Sequence, residues 1–171
     1  FASLTTIEGQ LRFEYNHNVE SLSFPVLNEV KGQLYVYSND RLESIDLHNL
    51  VEVTSNLEIQ YNYQLENIEL SNLHTVNGSF QMYSLNEVEV LDLPYLNEVN
   101  GSFNVSNFSS LLSLSAPLLD DLSGSLTIRD NPDLATIVLT SLTCVDDYTV
   151  VGNDLDEDDS RDLLLHIISE C

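Results

Sequence analysis

"LNEVKGQLYV" (Leu27–Val36) returns sixty-nine residues later as "LNEVNGSFNV" (Leu96–Val105), and sixty-nine is three times twenty-three. Laid out at that period from Leu4, the chain gives six successive copies without insertion or deletion. They begin at Leu4, Leu27, Leu50, Leu73, Leu96 and Leu119, and the last ends at Ser141. A further "LNEV" at Leu85 is out of phase, and its Val88 falls in line with Val19, Leu42 and Leu65.

Seven positions of the unit are apolar in every copy. The first is the leucine column just named, and the second runs Ile7, Val30, Val53, Val76, Val99, Leu122. The pair Leu11/Phe13 recurs as Leu34/Val36, Leu57/Ile59, Phe80/Met82, Phe103/Val105 and Leu126/Ile128; the other columns start at Val19, Leu22 and Phe24. Spacing of two within Leu11-x-Phe13 and Leu22-x-Phe24 predicts short strands with one buried face. Polar stretches such as "EYNHN" and "YSND" between them predict turns. Glycine holds the sixth position in all copies except the third, which has Ser55; it predicts a bend that needs φ > 0. Proline takes one late corner in three copies (Pro25, Pro94, Pro117), where a lost N–H does little harm.

A single unit cannot bury its own apolar edge, so the units must stack, about 4.8 Å apart. The predicted fold is an all-β solenoid of 23-residue coils. At the thirteenth position Asn16, Asn39, Asn62 and Asn131 predict an inward ladder that satisfies backbone groups of neighbouring coils. Leu85 and Phe108 interrupt it, so coils four and five should be packed there instead.

Residues 1–155 hold the six to seven stacked repeats, and residues 156–171 are predicted to form a C-terminal cap. A seventh coil starts at Leu142 and Val145 and then loses a residue. Beyond it, acids lead into an apolar-striped run, predicting a short helix over Asp159–Glu170 whose first turn favours negative charge. Cys144 and Cys171 bracket this unit. A disulfide between them would staple the cap and imply an oxidising compartment; two buried thiols are the alternative. Phe1–Ser3 provides no matching cap, so coil one is expected to continue a longer solenoid or to meet a partner.

The charge is lopsided, with 28 acidic against 5 basic residues and a net −23. Such a surface argues against nucleic acid and against anionic lipid, which both need clustered Lys and Arg. It suits divalent cations or salty surroundings. No apolar run is long enough for membrane insertion, and no targeting or lipidation motif is recognised.

The pattern L-x-x-V-x-G-x-L-x-V-x-x-N-x-x-L-x-x-I-x-L resembles the leucine-rich repeats of receptor L domains. It is most similar to the versions in fungal cell-wall organisation proteins and related microbial surface proteins. "LNEVKGQLYVYSNDRLESIDLHNL" (Leu27–Leu50) and "LVEVTSNLEIQYNYQLENIELSNL" (Leu50–Leu73) carry the likeness best, and it extends over about Leu4–Leu155. The resemblance implies a right-handed β-helix-like, leucine-rich-repeat-type solenoid outside the cell, serving as a structural or recognition module.

Two outward columns flank the first long strand: Arg12, Tyr35, Glu58, Gln81, Asn104, Thr127 and Glu14, Tyr37, Gln60, Tyr83, Ser106, Arg129. With Tyr15, Tyr61 and Tyr63 just beyond, they mark a ligand face whose candidates are Arg12, Tyr15, Tyr35, Tyr37, Glu58, Gln60, Tyr61, Tyr83 and Arg129. Tyrosine supplies flat apolar area plus a hydroxyl, which suits recognition of protein or sugar. The plainer account is that tyrosine forms strands well and stacks across a sheet.

Four N-x-S/T sequons, at Asn77, Asn100, Asn104 and Asn107, are glycosylation candidates, in about the number chance would give. Asp154, Asp156 and Asp158 alternate as in calcium loops but lack the glycine and final glutamate of an EF-hand, and helix capping explains them more simply. Calcium is thus a weak candidate ligand and no other cofactor is expected. His17, His48, His74 and His166 occupy different columns and make no ligand pair, and no nucleophile–histidine–acid set or phosphate loop stands out. The expected function is a non-catalytic extracellular or cell-surface module for cell-wall organisation, adhesion or ligand binding. The alternatives are a subunit that assembles with its own copies through the open first coil, and a polysaccharide-acting enzyme with an acidic cleft.

Overall fold

The computed structural model describes residues 1–156. The expected helix at Asp159–Glu170, together with Asp158, His166 and Cys171, lies outside the described residues. Within them the chain is an all-β solenoid whose strands pair only in parallel, each with its equivalent in the next coil.

Each coil contributes three strands. Coil one has β1 (Thr6–Ile7), β2 (Leu11–Glu14) and β3 (Ser21–Ser23); coil two has β4 (Glu29–Val30), β5 (Leu34–Tyr37) and β6 (Ser44–Asp46). Coil three has β7 (Glu52–Val53), β8 (Leu57–Gln60) and β9 (Asn67–Glu69); coil four has β10 (Thr75–Val76), β11 (Phe80–Tyr83) and β12 (Val90–Asp92). Coil five has β13 (Glu98–Val99), β14 (Phe103–Ser106) and β15 (Ser113–Ser115); coil six has β16 (Asp121–Leu122), β17 (Leu126–Asn131) and β18 (Thr136–Val138). The seventh coil adds β19 (Tyr148–Asn153).

Stacking makes a six-stranded first sheet from the two-residue strands and a seven-stranded second sheet from the long ones. Register follows the period: Leu34 pairs with Leu57, and Phe80 with Phe103. In the seventh coil the offset shortens by one, Leu126 meeting Tyr148 and Asn131 meeting Asn153, which absorbs the lost residue. The apolar columns fill the interior: Leu42, Leu65 and Val88 are fully buried, and Phe80 stacks on Phe103 at 4.8 Å between ring centres. At a corner the amide ladder forms as expected. Asn39 Oδ1 accepts the Asn16 N–H at 2.9 Å, Asn62 Oδ1 accepts the Asn39 N–H at 2.9 Å, and Asn131 Oδ1 accepts the Phe108 N–H at 3.0 Å. Asn153 extends it beyond Asn131. Leu85 and Phe108 are buried at the same corner, packed as the sequence implied.

The glycine column corrects one expectation. Its members do not have positive φ; among the described glycines only Gly152 does. They are needed for space, because successive coils approach backbone to backbone there. A Cβ on Gly32, Gly101 or Gly124 would lie 2.7–2.8 Å from the carbonyl carbon of the glycine below. The left-handed corner falls six residues later, where Tyr15, Ser38, Tyr61, Ser84, Asn107 and Asp130 all have φ between 51° and 58°. That conformation costs ordinary residues about 1–2 kcal/mol, and it turns the chain from the second sheet towards the third.

The third sheet departs from the period. It is two separate three-stranded sheets, β3-β6-β9 and β12-β15-β18, with no pairing of β9 to β12. The break coincides with the junction at which the ladder passes from Asn62 to Leu85. A leucine or phenylalanine at the corner fills more room than an asparagine and makes no hydrogen bond to hold the coils together. Across the break Glu66 would face Glu89 and Glu69 would face Asp92, and like charges directly opposite oppose pairing. One coil earlier Asp46 and Glu69 are in register, but there Asp46 is hydrogen-bonded by His48 and by Ser23 at 2.9 Å, and the amide ladder is intact.

Candidate functional site

Strands β2, β5, β8 and β11 turn alternate side chains inward, so their pairing lines up Glu14, Tyr37, Gln60 and Tyr83 on one outer column, beside Arg12, Tyr35, Glu58 and Gln81; Gln60, expected on the ligand face, is instead covered by its neighbours and buried. On that column tyrosine occurs only in coils two and four. The left-handed corner supplies the missing rings: Tyr15 in coil one and Tyr61 in coil three stand against the neighbouring column.

The result is a continuous zigzag ridge. Tyr15 meets Tyr37 at 5.5 Å and 73°, Tyr37 meets Tyr61 at 5.3 Å and 72°, and Tyr61 meets Tyr83 at 5.1 Å and 87°. Edge-to-face contacts of this kind contribute about 0.5–1.5 kcal/mol each. Tyr35 lies flat on Tyr37 (5.5 Å, 8°), and Tyr63 stands on Tyr61 at 6.4 Å. The Arg12 guanidinium lies 5.0 Å over the Tyr35 ring and is held by Glu14 through bonds of 2.6 and 2.9 Å. Tyr15 and Tyr63 are the open flanks of the ridge, and Tyr35, Tyr37, Tyr61 and Tyr83 are half-buried.

Burial pushes the Tyr83 hydroxyl up to about 12, with Tyr61 adding to the effect. Burial likewise raises Tyr35 and Tyr37. The Glu14 hydrogen bond raises Arg12, and the reciprocal bond lowers Glu14. At neutral pH Tyr35, Tyr37 and Tyr83 therefore offer uncharged hydroxyls, with a fixed ion pair at one end of the ridge.

Glu58 stands beside the ridge in a clamp of amides. Its carboxylate accepts from Gln33 Nε2 at 2.8 Å, Asn56 Nδ2 at 3.0 Å and Gln60 Nε2 at 3.2 Å. Gln60 is buried and supports Glu58 from below. Gln33 and Asn56 were not singled out from the sequence, because they lie outside the two columns that define the face. Arg129 does not join the ridge: it is two coils beyond Tyr83, with Ser106 between them, and lies 3.9 Å from Asp130.

The other sequence candidates lie apart. Asn77, Asn100 and Asn107 are exposed, and Asn104 is half-buried on β14. Asn100 donates to Asn77 at 3.2 Å, so two glycans there would collide. His17 bonds Asp40 at 2.7 Å, His48 bonds Asp46 at 2.5 Å, and His74 bonds the Asn72 carbonyl at 2.7 Å. Among the described residues no three His, Cys, Asp or Glu side chains converge on a metal position. Asp154 and Asp156 follow β19, and no described helix is long and apolar enough to cross a membrane. Comparison with protein-family models, with curated proteins and with solved structures finds nothing that matches this chain.

Proposed function

We propose that this solenoid is a non-catalytic recognition module of the cell surface or extracellular space, and that the tyrosine ridge is its ligand face. The single observation that carries the reading is the unbroken Tyr15–Tyr37–Tyr61–Tyr83 contact chain across four coils. A surface kept only for strand propensity has no need to recruit tyrosines from two different positions of the repeat. Rings with neutral hydroxyls next to a fixed carboxylate and amides fit a polar, weakly apolar chain, of which a glycan is the prime example. The likeness of the repeat to microbial surface leucine-rich repeats supports the same placement. A Cys144–Cys171 disulfide is part of the same proposal and requires both cysteines to resist alkylation until reduced.

The test is a screen of immobilised polysaccharides and glycans against the wild type and a Tyr15→Ser/Tyr35→Ser/Tyr61→Ser variant. A glycan bound by the wild type and lost by the variant supports the ridge. Equal retention of every bound glycan by both proteins refutes it, and turnover of any glycan refutes the non-catalytic reading.

A further inference from the structure

The break in the third sheet is an opening with two unpaired strand edges facing one another. Elsewhere Leu47 and Leu93 donate their N–H groups to Glu69 and Ser115 of the next coil, at 3.0 and 2.8 Å. No such bond runs from Leu70 to Asp92. Glu66 and Leu112 donate back to Glu43 and Glu89 at 3.0 and 2.8 Å, and no bond runs from Glu89 to Glu66. Strands β9 and β12 stand largely beyond 8 Å of one another between Cα atoms. Paired strands lie about 4.8 Å apart, so two edges standing farther apart than that are not satisfied by one another and are open to a further strand.

The opening is a cleft of about 630 Å³. Glu66, Glu69, Glu87, Glu89 and Asp92 line it, and no basic residue does. Ile68 lies at its floor. It is partly exposed, whereas Leu22, Ile45, Leu91 and Leu114 of the same column are buried. Val90, on the rim, is 54 % exposed. The carboxylates do not converge on one point, so a single metal ion is a poor match. Separate cationic side chains on an extended backbone match both the spread of charge and the open edges.

We propose that this cleft takes an extended basic peptide, which enters as a strand between β9 and β12. Register defines the peptide. One outward residue would lie between Asn67 and Val90, beside the neighbouring acids Glu66 and Glu89, the next would point inward between Ile68 and Leu91, and the one after it would lie outward between Glu69 and Asp92. The preferred sequence is therefore basic–apolar–basic, as in Lys-Ile-Lys. Its apolar side chain would cover Ile68, its lysines would answer the two acidic pairs, and its backbone would complete the third sheet.

Fluorescence anisotropy with a labelled Gly-Ser-Lys-Ile-Lys-Gly peptide tests this in low salt. Glu69→Gln/Asp92→Gln, which alters only exposed side chains, is expected to weaken binding about tenfold, equivalent to about 1.4 kcal/mol. A peptide N-methylated at the central amides, with unchanged charge, is expected to lose about as much. A scrambled Gly-Ile-Lys-Lys-Ser-Gly should bind more weakly than the parent. Equal binding of the parent, scrambled and methylated peptides would show general attraction to an acidic protein and overturn the proposal, as would binding unaffected by the double substitution or absent altogether. None of these results bears on the tyrosine ridge, which is on another sheet.

Discussion

Replacing Asn62 by leucine puts into coil three the residue that coil four already carries at the same corner, Leu85. Asn62 is fully buried and makes four bonds. Its Oδ1 accepts from the Asn39 N–H at 2.9 Å and Asn39 Nδ2 at 3.0 Å. Its Nδ2 donates to the Val36 carbonyl at 3.1 Å and the Gln60 carbonyl at 2.9 Å. Leucine would leave at least the Asn39 N–H and the Val36 carbonyl buried without these partners, at about 1–3 kcal/mol each. Its extra apolar burial returns about 1.5–3 kcal/mol, and fitting a larger group into a closed corner costs about 1–3 kcal/mol. At mid-range these terms leave a loss of about 4 kcal/mol. With a urea slope of about 2 kcal/mol per molar, the unfolding midpoint should fall by about 2 M. Stacked coils can unfold in stages, so the slope must be measured alongside the midpoint; an unchanged slope identifies a loss of stability alone. A midpoint within about 0.2 M of wild type would show that the amide ladder is no better than an apolar corner, and the explanation given for the broken third sheet would fail with it.

Gly101→Ala should destabilise by about 1–3 kcal/mol, because the new methyl meets Gly78 and Ser79 backbone at 2.8 Å, whereas Gly9→Ala meets nothing and should be close to neutral; paired urea curves compare them directly. Above pH 10 stability should fall: an unfolded tyrosine ionises near about 10 while Tyr83 holds its proton to about 12, so the folded chain binds the extra proton through that window and loses its advantage as pH rises. Tyr83→Phe should flatten that slope in unfolding curves taken at successive pH values, and an unchanged slope would mean that Tyr83 ionises freely. Leu85→Asn/Phe108→Asn should extend the ladder through coils four and five, draw β9 and β12 together, and weaken Ser-Lys-Ile-Lys peptide binding about tenfold or more; undiminished binding would separate the cleft from the corner residues.

Residues repeated in every coil were legible because the solenoid has one dominant constraint: a side chain at a given position must lie over its equivalent. Leu42, Leu65 and Val88, or Asn16, Asn39 and Asn62, could be stacked from spacing alone, and the structure stacks them. Glycine at the sixth position was equally conspicuous, yet its purpose was misread. A recurring glycine signals either an unusual torsion or a close approach, and only the second is satisfied here. The torsion is carried in coils one to four by tyrosine and serine, which give no local sequence warning of a left-handed corner, and only in coils five and six by asparagine and aspartate, which favour it. That corner also explains why the ridge was seen as a patch and not as a chain, since Tyr15 and Tyr61 belong to a different column from Tyr37 and Tyr83 until the backbone turns them onto it.

The cleft was hidden for a different reason. Its acids, Glu66, Glu69, Glu89 and Asp92, look like any other outward positions of the repeat, and acids in register are tolerated one coil below, where Asp46 and Glu69 pair. What differs is the support beneath them: Asn39 and Asn62 bind the second and third coils at the corner, while Leu85 can only fill space. Repulsion that an amide bridge holds in check in one coil junction is released in the next. The consequence appears five to seven residues along the chain, on another sheet. Period alone therefore predicts the scaffold, and the places where the chain breaks its own period, the alternating tyrosines and the corner leucine, are where it acquires surfaces that a perfect repeat would lack.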